Sequence, residues 1–513
     1  MQHISPANRF QIQFSSLDEH IEQDHSVRFI EAFVEKLDLA QLHFNVKTIQ
    51  QEGRPSYNPK VFLKLYFYGY LNGIRSSRRL EKECKRNIEL HWLMQKLTPN
   101  YHSIADFRKD NPAALKNTFK LFVLFLKDMD LVAGNTVAID GTKVRAHNSK
   151  KSNYSQKKLE RHLSYIETKT NEYLTQLDQN DVAENPATIK QVQQKLERLK
   201  QNKIKYEVLQ QELEQSAQPQ ISTTDTDARA LLVQGQVVEV SYNVQTAVDH
   251  KHKLVVATHT INRNDRNALS PIAQEAKHNL NVKALTAISD KGYHNGRELQ
   301  HCKDHDITTI CAQQEIVNSN EHGTTPDYVV TKFIYHPHTD TYTCPQGHSL
   351  KTKGTWHKKT RERDSHLFKK YRTPACSTCP VKHLCTGRQK GGREIERSEY
   401  ATAVEENKQR YENNTALYRT RQEINEHIFG TIKRKWGYHY TNLKGLKKVN
   451  GEFALIMTVY NMKRCMNILG ITTLLEKINN WQPNYKGIAC AFSKPVNLQL
   501  YRATQNFQTN LAA

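Results

Sequence analysis

Residues 136–140 read TVAID and residues 284–290 read ALTAISD, and these two stretches decide the fold. Each is a short apolar run that ends in an aspartate, Asp140 or Asp290, and is followed at once by a turn-forming segment. Such runs predict buried β-strands. Two strands that end in this way would place both carboxylates at one edge of a sheet. Taken singly, an aspartate before a glycine is more often a turn former.

The chain around these two strands alternates between strand and helix patterns. Period-two runs at 236–249 and 253–262 flank the HKHK turn and predict a β-hairpin. Helical patterns at 268–280 and 295–305 are each followed by a strand pattern. With two insertions removed, the order is strand, strand, strand, helix, strand, helix, strand, helix. This order predicts an α/β fold with a ribonuclease-H-like core, which by itself names no chemistry.

Charge is the strongest global signal. The 513 residues contain 74 Lys plus Arg against 52 Asp plus Glu, a net charge of +22 that is spread along the whole length. A surplus of this size favours a polyanionic partner, because neutralised phosphates release condensed counterions. No apolar run approaches the roughly 20 residues needed to span a bilayer, and the first residues do not resemble a signal peptide. We therefore expect a cytoplasmic protein that binds nucleic acid and no membrane.

Composition and periodicity divide the chain into five parts. Residues 153–218 hold two helical runs separated by Asn185-Pro186, which predicts an inserted helical hairpin. The predicted domains are an N-terminal helical DNA-binding domain (1–130), a ribonuclease-H-like catalytic core (131–152, 219–315 and 416–470), the helical hairpin (153–218), a cysteine-rich, zinc-ribbon-like insertion (316–415) and a C-terminal tail (471–513).

A basic helix is predicted at residues 76–97, with Ser76 or Ser77 placed to cap it. Together with the GIRSS turn before it, this helix resembles part of a helix-turn-helix arrangement. Its arginines are predicted to contact DNA phosphates, although an ordinary solvated helix face explains them equally well. The arginines concerned are Arg75, Arg78 and Arg79.

A second set of polar residues lies on the helix predicted from about 415 to 436. At 100° per residue, Tyr418, Glu426 and Lys433 fall within about 80° of one another. Glu426 would lie at the border of the packed face, within reach of a metal at the sheet edge, and Lys433 could meet a phosphate. The alternative is a surface glutamate on an amphipathic helix. Carboxylate oxygens suit Mg²⁺, and in-line attack on a phosphodiester commonly uses two such ions.

Seven stretches, taken together, resemble the DDE transposases of bacterial insertion sequences, in the branch with a cysteine-rich insertion before the catalytic glutamate. They are GRPSYNPKVFLKLYFYGYLNGIRSSRRLE, SIADFRKDN, AIDGTKVRAHNS, SYNVQTAVD, SDKGYHNGREL, NEHIFGTIKRKWGY and GLKKVNGEFALIMTVYNMKR, which cover most of residues 50–465. The resemblance implies cleavage at the ends of the element and joining of the freed 3′-hydroxyl to target DNA. It also implies terminal inverted repeats as binding sites, at least a dimer, and a location at the bacterial nucleoid.

The resemblance implies that Asp140, Asp290 and Glu426 hold two Mg²⁺ or Mn²⁺ ions. It further implies that Tyr418, Arg421, Glu426 and Lys433 form the family's Tyr-Arg-Glu-Lys signature. One spacing departs from the family, because four residues instead of three separate Arg421 from Glu426. The usual spacing would place Asn425 at the catalytic position. The six-residue gap to Lys433 favours Glu426, and Glu423 is the fallback.

Four of the nine cysteines cluster, Cys344 in TCPQGH and Cys376, Cys379 and Cys385 in CSTCPVKHLC. A C-x2-C pair is a good chelate for tetrahedral zinc, so we predict one structural four-thiolate Zn²⁺ site, with His348 or His383 as possible substitutes. Reduced structural cysteines are the alternative. The scattered cysteines are expected to pack as small apolar residues; they are Cys84, Cys302, Cys311, Cys465 and Cys490.

Two other classes of function stay open on the sequence alone. One is a ribonuclease-H-like nuclease that hydrolyses DNA without joining it. The other is a DNA-binding protein without catalysis, such as an inactivated or domesticated copy. The TTDTDAR segment, with Asp225, Asp227 and Arg229, could touch DNA, but a capping loop is the favoured interpretation.

Overall fold

A computed structural model describes residues 10–12, 14–45, 56–181, 186–216, 218–233, 237–313, 324–361, 364–486 and 488. In chain order its helices are α1 Ser26–Glu35, α2 Pro59–Leu71, α3 Ser77–Cys84, α4 Ile88–Leu93, α5 Tyr101–Asp110, α6 Pro112–Asp128, α7 Gln156–Asp181, α8 Pro186–Ser216, α9 Leu269–Leu280, α10 Gly296–Asp304, α11 Lys382–Cys385, α12 Ala401–Asn413, α13 Thr415–Phe429, α14 Leu446–Leu469 and α15 Ile471–Asn480.

The strands are β1 Thr136–Arg145, β2 Asn153–Ser155, β3 Gln220–Ser222, β4 Arg229–Val233, β5 Val237–Asp249, β6 Val255–Ile261, β7 Leu285–Ser289, β8 Ile307–Cys311, β9 Ile334–His336, β10 Thr341–Thr343, β11 Ser349–Thr352, β12 His357–Arg361, β13 Asp364–Arg372 and β14 Ile395–Ser398. The chain forms two compact units. The first comprises residues 1–133, 141–264 and 426–513, and the second comprises 134–140 and 265–425. Both β1 and α13 pass from one unit into the other.

Helix α14 is the centre of the first unit. Most of its 24 residues are buried, and every residue from Gly451 to Met462 is buried, on all sides of the helix. A helix of this kind lies inside a core rather than at its surface, and α14 packs against α2, α6 and β6. The predicted C-terminal tail (471–513) begins with a helix, α15, that was not predicted. It is followed by Trp481, whose ring centre lies 6.2 Å from that of Phe33 and 5.0 Å from that of Phe125.

Gly451 allows α14 to approach α6 closely. A Cβ at this position would lie 2.5 Å from the Cα of Pro112 and 2.8 Å from its carbonyl oxygen. Because these are backbone atoms, Gly451→Ala should lower the free energy of unfolding by about 1–3 kcal/mol. The control is Gly430→Ala, where a Cβ meets nothing within 4 Å and alanine should be neutral or stabilising by up to about 1 kcal/mol. Urea unfolding followed by circular dichroism compares the two, and equal stabilities would contradict this close packing.

The first unit also contains the predicted β-hairpin and the predicted helical hairpin. Strand β5 pairs antiparallel with β6, from Asn243 opposite Ile261 to Val248 opposite Val255, and its first part pairs antiparallel with β4. Helices α7 and α8 pack against each other as expected for 153–218. The prediction of one continuous helix at 76–97 is wrong, because this segment forms two helices, α3 and α4. The Asn87 side chain accepts from the backbone N–H groups of Glu89 and Leu90 and starts the second helix.

The TTDTDAR segment is a capping loop, as favoured from the sequence. Asp225 accepts a hydrogen bond from Gly445 N at 3.0 Å, and Asp227 accepts one from Leu446 N at 2.7 Å. The two carboxylates therefore cap the first residues of α14. Asp225 also accepts from the Tyr242 hydroxyl at 2.7 Å.

The second unit is built on parallel strands. The first half of β1 pairs with β7, which pairs with β8, and helices α9, α10 and α12 pack on these strands or on one another. The predicted order of strands and helices in the core is confirmed, with β4 as an addition. Mixed α/β structure is therefore established.

The second unit contains a small antiparallel sheet that the sequence did not predict. Its order is β12-β13-β11-β10-β9, with β14 also paired to β13. The sequence shows little periodicity from 316 to 415, because several of these strands are only three or four residues long. A core of five side chains supports the sheet, and Cys344 and Cys385 pack against this core. Its buried members are Phe333, Tyr342, Leu350, Tyr371 and Ile395.

Among the described residues, no helix is long and apolar enough to cross a membrane. The scattered cysteines Cys84, Cys302, Cys311 and Cys465 are buried, as predicted, and Cys490 lies outside the described residues.

Candidate active site

Asp140 and Asp290 lie level with each other where the parallel pairing of β1 and β7 ends. The register of β1 and β7 runs from Thr136 opposite Thr286 to Ile139 opposite Ser289, so each aspartate follows the last paired residue of its strand. Neighbouring strands are about 4.8 Å apart. Both aspartates are partly exposed. The predicted side-by-side placement of the two carboxylates is confirmed by this register. The prediction that the first strand ends in a turn after Asp140 is wrong, because β1 continues to Arg145.

Asp290 is fixed by the turn that follows it. Its Oδ1 accepts from the backbone N–H of Gly292 at 2.8 Å, and its carbonyl oxygen accepts from the Cys311 thiol at 3.1 Å. A Cβ at position 292 would lie 3.0 Å from the same Oδ1. The carboxylate is therefore held in one orientation at the end of β7.

Arg421 and Tyr418 accompany these aspartates within the second unit. Arg421 Nη1 lies 3.7 Å from Asp140 Oδ2, and its guanidinium carbon lies 5.7 Å from the centre of the Tyr418 ring. Arg421 Nε is buried without a hydrogen-bond partner. Burial raises the pKa of Tyr418, and the negative charge of Asp290 adds to this rise, while Arg421 opposes it. Tyr418 therefore remains a neutral hydroxyl beside the carboxylates at physiological pH.

Lys433 is held, within the first unit, at the residues that directly follow Asp140. Its Nζ donates to Thr142 Oγ1 and to the carbonyl oxygen of Lys143, both at 3.1 Å. Burial lowers the pKa of Lys433. Residues 430–435 form a π-helix, so the angular spacing predicted for a continuous α-helix does not apply between Glu426 and Lys433. Single π-turns inside helices occur frequently at functional sites.

The three alternatives for the third carboxylate differ in exposure. Glu426 and Glu423 are exposed, whereas Asn425 is buried with neither side-chain atom hydrogen-bonded. Asn425 therefore lies on the packed side of α13, beside the buried Ile424 and Ile428. The exposure pattern favours a glutamate over Asn425 as a metal ligand and does not choose between the two glutamates.

The three N-terminal arginines have different environments. Arg78 and Arg79 are exposed on α3, which the Ser76 hydroxyl caps by accepting from Arg79 N. Arg75 is buried, and its Nη2 donates to Glu452 Oε1 and to the carbonyl oxygen of Tyr440, both at 2.8 Å. The expectation that Arg75 faces phosphates does not match this placement, because Glu452 already binds its guanidinium.

The four clustered cysteines line one cavity of about 30 Å³ in the second unit, together with His348. Cys344 Sγ accepts from the backbone N–H of His348 at 3.3 Å, within a turn that Gly347 makes with φ +81°. Position 392 requires glycine, because a Cβ there would lie 2.3 Å from the Cβ of Cys376.

Within the part of the chain that the structure describes, no group of three or more histidine, cysteine, aspartate or glutamate side chains is arranged so that it could hold a metal ion. Metal binding by the carboxylates or by the thiols is therefore left as a proposal.

Comparison with protein families gives two matches. Residues 15–110 match a transposase domain (DUF772), and residues 343–466 match a transposase DDE domain. These domains support a DNA transposase. The DDE match includes Tyr418, Arg421, Glu426 and Lys433, whereas Asp140 and Asp290 precede it. A DDE domain implies a ribonuclease-H-like fold, with which the order of elements in this chain agrees.

Neither the comparison with curated proteins nor that with solved structures gives a match. Sequence reasoning missed one buried charged group of the protein, Glu452 with Arg75 and Arg108. A charged residue inside the apolar run of α14 was the available signal.

Proposed function

We propose that this transposase cleaves DNA at the ends of an insertion sequence and joins the freed 3′-hydroxyl to target DNA. In the first step, a water oxygen attacks the phosphorus at the element's end and the P–O3′ bond breaks. In the second, the released 3′-hydroxyl attacks a target phosphorus and displaces the target's own 3′-oxygen. The number of phosphodiester bonds is conserved in the second step, so neither an energy source nor a covalent protein–DNA intermediate is needed.

The observation that carries this proposal is the pairing of β1 with β7, which ends level at Asp140 and Asp290. Two carboxylates at one sheet edge supply hard oxygen ligands of the kind that Mg²⁺ and Mn²⁺ take. Asp140, Asp290 and Glu426 would hold two such ions. When bound, the ions activate the attacking oxygen and stabilise the leaving oxygen.

Glu426 is the third ligand on the strength of the resemblance, its gap to Lys433 and its exposure. Glu423 is the alternative. The two are distinguished by comparing Glu426→Gln with Glu423→Gln, since only the ligand variant should lose cleavage.

Three further side chains would position DNA. Arg421 compensates the charge of Asp140 at 3.7 Å, and its planar guanidinium suits a phosphate of the cleaved strand. Tyr418 offers a neutral hydroxyl as a hydrogen-bond donor to a phosphate oxygen. Lys433 adds a positive charge beside Thr142 and Lys143 of β1. None of these three groups needs to transfer a proton to do this.

Recognition of the element ends would involve Arg78 and Arg79 on α3, which are exposed. Their partner would be the double-stranded DNA of the terminal inverted repeats. Synapsis of two ends requires at least two active sites and favours a dimer or larger homo-oligomer. We further infer the branch with a cysteine-rich insertion, and action at the bacterial nucleoid in the cytoplasm.

The four cysteines would hold one structural Zn²⁺. Their thiols share a cavity on the small core of the second unit, and the amide that donates to Cys344 Sγ would stabilise a thiolate. His348 lines the same cavity as a possible substitute, whereas His383 does not line it. Zinc there would hold the turn at Cys344 to the segment 376–385, as a structural rather than catalytic ion.

Metal analysis tests the zinc proposal. The purified wild-type chain should contain about one zinc ion, and Cys379→Ser should lose it. Gly392→Ala should also lose zinc, because the new Cβ would displace Cys376. The control is Cys302→Ala, a buried cysteine of the same unit that does not line the cavity. A zinc-free wild type, or zinc retained by Cys379→Ser, would overturn the proposal.

Cleavage at the element boundary tests the proposed function. A labelled duplex that carries the terminal repeat and its flanking DNA should be cut in Mg²⁺ at the junction, leaving a 3′-hydroxyl on the element strand. Cutting at unrelated positions, without preference for the junction, would favour the nuclease alternative. Binding of the repeat without any cutting would favour the non-catalytic alternative.

A further inference from the structure

The first unit contains an open cleft of about 520 Å³ beside the start of α14. Four lysines line it against two aspartates. The lysines are Lys109, Lys444, Lys447 and Lys448, and the aspartates are Asp110 and Asp227. The cleft is therefore positively charged.

Three of these lysines are available to a ligand. Lys444, Lys447 and Lys448 are exposed, and no described residue forms an ion pair or side-chain hydrogen bond with their ammonium groups. Lys109 differs, because its Nζ lies 2.6 Å from Asp106 and 3.7 Å from Asp110. The positive charge of the cleft thus comes mainly from the segment 444–448.

The two aspartates offset only part of this positive charge, because each already has a partner. Asp227 already accepts from Leu446 N, and Asp110 lies next to the ammonium group of Lys109. The first backbone N–H groups at the start of α14, those of Gly445 and Leu446, are used by Asp225 and Asp227. A ligand would therefore be bound by the lysine side chains and not by the helix terminus.

The lysines lie on a rigid support. Lys444 precedes α14, and Lys447 and Lys448 lie in its first turn. The rest of this helix is mostly buried, and Gly451 lets it pack closely against Pro112. Lysine ammonium groups on a fixed frame attract phosphates as point charges, and contacts to phosphates carry no information about base sequence. An open, positively charged cleft of this kind fits a continuous phosphodiester backbone.

We propose that this cleft binds the sugar–phosphate backbone of duplex DNA through Lys444, Lys447 and Lys448. The proposal rests on the proposed function, since it adds a DNA-contacting surface to the transposase. The DNA can be an element end or the target, because both present the same phosphodiester chemistry. Contact should be independent of base sequence and strongly dependent on salt.

The test compares two triple variants of the full-length chain. Lys444→Ala/Lys447→Ala/Lys448→Ala removes the cleft charges. Lys200→Ala/Lys203→Ala/Lys205→Ala removes the same number from the exposed surface of α8 and controls for net charge. Binding to an element-end duplex and to an unrelated duplex of equal length is measured by fluorescence anisotropy at several salt concentrations, without divalent metal.

The cleft variant should reduce the slope of log K against log salt by about 2–3, since each lost phosphate contact contributes roughly 0.9. A reduced slope with the element-end duplex alone would identify the element end as the ligand. A reduced slope with the unrelated duplex alone would identify target DNA as the ligand. Equal loss with both would show that the cleft accepts either. If the wild type binds DNA and the salt slopes of the cleft variant and the α8 variant are equal on both duplexes, the cleft is not a DNA-binding site. The proposed function then still stands. If the wild type binds neither duplex, both proposals fail.

Discussion

Asp290→Asn should reduce Mg²⁺-dependent cleavage at an element end by about a thousandfold or more. The substitution keeps the size of the side chain and the acceptor that Gly292 N uses, but it removes the negative charge that a divalent cation needs. Stabilisation of the leaving and attacking oxygens by metal is worth several kcal/mol, and about 4 kcal/mol corresponds to a thousandfold change in rate. The rate of appearance of the free 3′-hydroxyl end, measured at saturating DNA, gives this effect.

A matched variant separates loss of metal binding from loss of folding. Asp304→Asn changes an aspartate of the same unit, at the end of α10, whose carboxylate accepts from Gln300. This variant should cleave like the wild type. Asp140→Asn should match Asp290→Asn, and the double variant should be no slower than either, because groups that act together are not additive. Cleavage by Asp290→Asn within tenfold of the wild type would rule out its role as a metal ligand.

Glu452→Gln should lower the free energy of unfolding of the first unit by about 3–5 kcal/mol, the range for breaking a buried ion pair by removing one partner. The Glu452 side chain is fully buried, 2.8 Å from Arg75 and 3.8 Å from Arg108, both also buried. It further accepts from the backbone N–H groups of Asn442 and Leu443. Glutamine keeps one oxygen but no charge, so two guanidinium groups remain buried without a counterion.

Urea unfolding followed by circular dichroism measures this loss. The control is Glu207→Gln on α8, an exposed glutamate 3.9 Å from Lys203, which should change stability by less than about 0.5 kcal/mol. Equal stability of the two variants would mean that the carboxylate does not hold the arginines in place. DNA binding by Glu452→Gln below its unfolding transition should stay close to that of the wild type.

The parts of the fold that the sequence predicts are those with a strong local period. Strands β5 and β6 alternate over seven or more residues, and α7 and α8 carry apolar residues at helical spacing. The end of β7 at Asp290 could also be predicted, since an apolar run followed by aspartate and a turn is a local pattern. The neighbouring position of Asp140 followed from the parallel order of an α/β core, and the register of the two strands confirms it, although β1 does not end there but continues to Arg145.

The parts that could not be predicted depend on contacts far apart in the sequence. Arg75 resembles the exposed arginines beside it, and only its partner Glu452, 377 residues further on, makes it a buried residue. The π-helix at 430–435 leaves the local composition unchanged, so uniform helical spacing was assumed through Lys433. The small sheet was missed because strands such as β9 and β10 are three residues long, too short for a period to be visible.

Strand transfer tests the central claim most directly. An element-end duplex with a labelled, pre-cut 3′-hydroxyl strand is incubated with the wild-type chain, Mg²⁺ and a supercoiled plasmid. We predict that the label becomes covalently joined to the plasmid, that a chelator prevents joining, and that Asp290→Asn joins none. Label that remains unjoined while the plasmid is nicked, or joining that persists in Asp290→Asn, would contradict the proposed function.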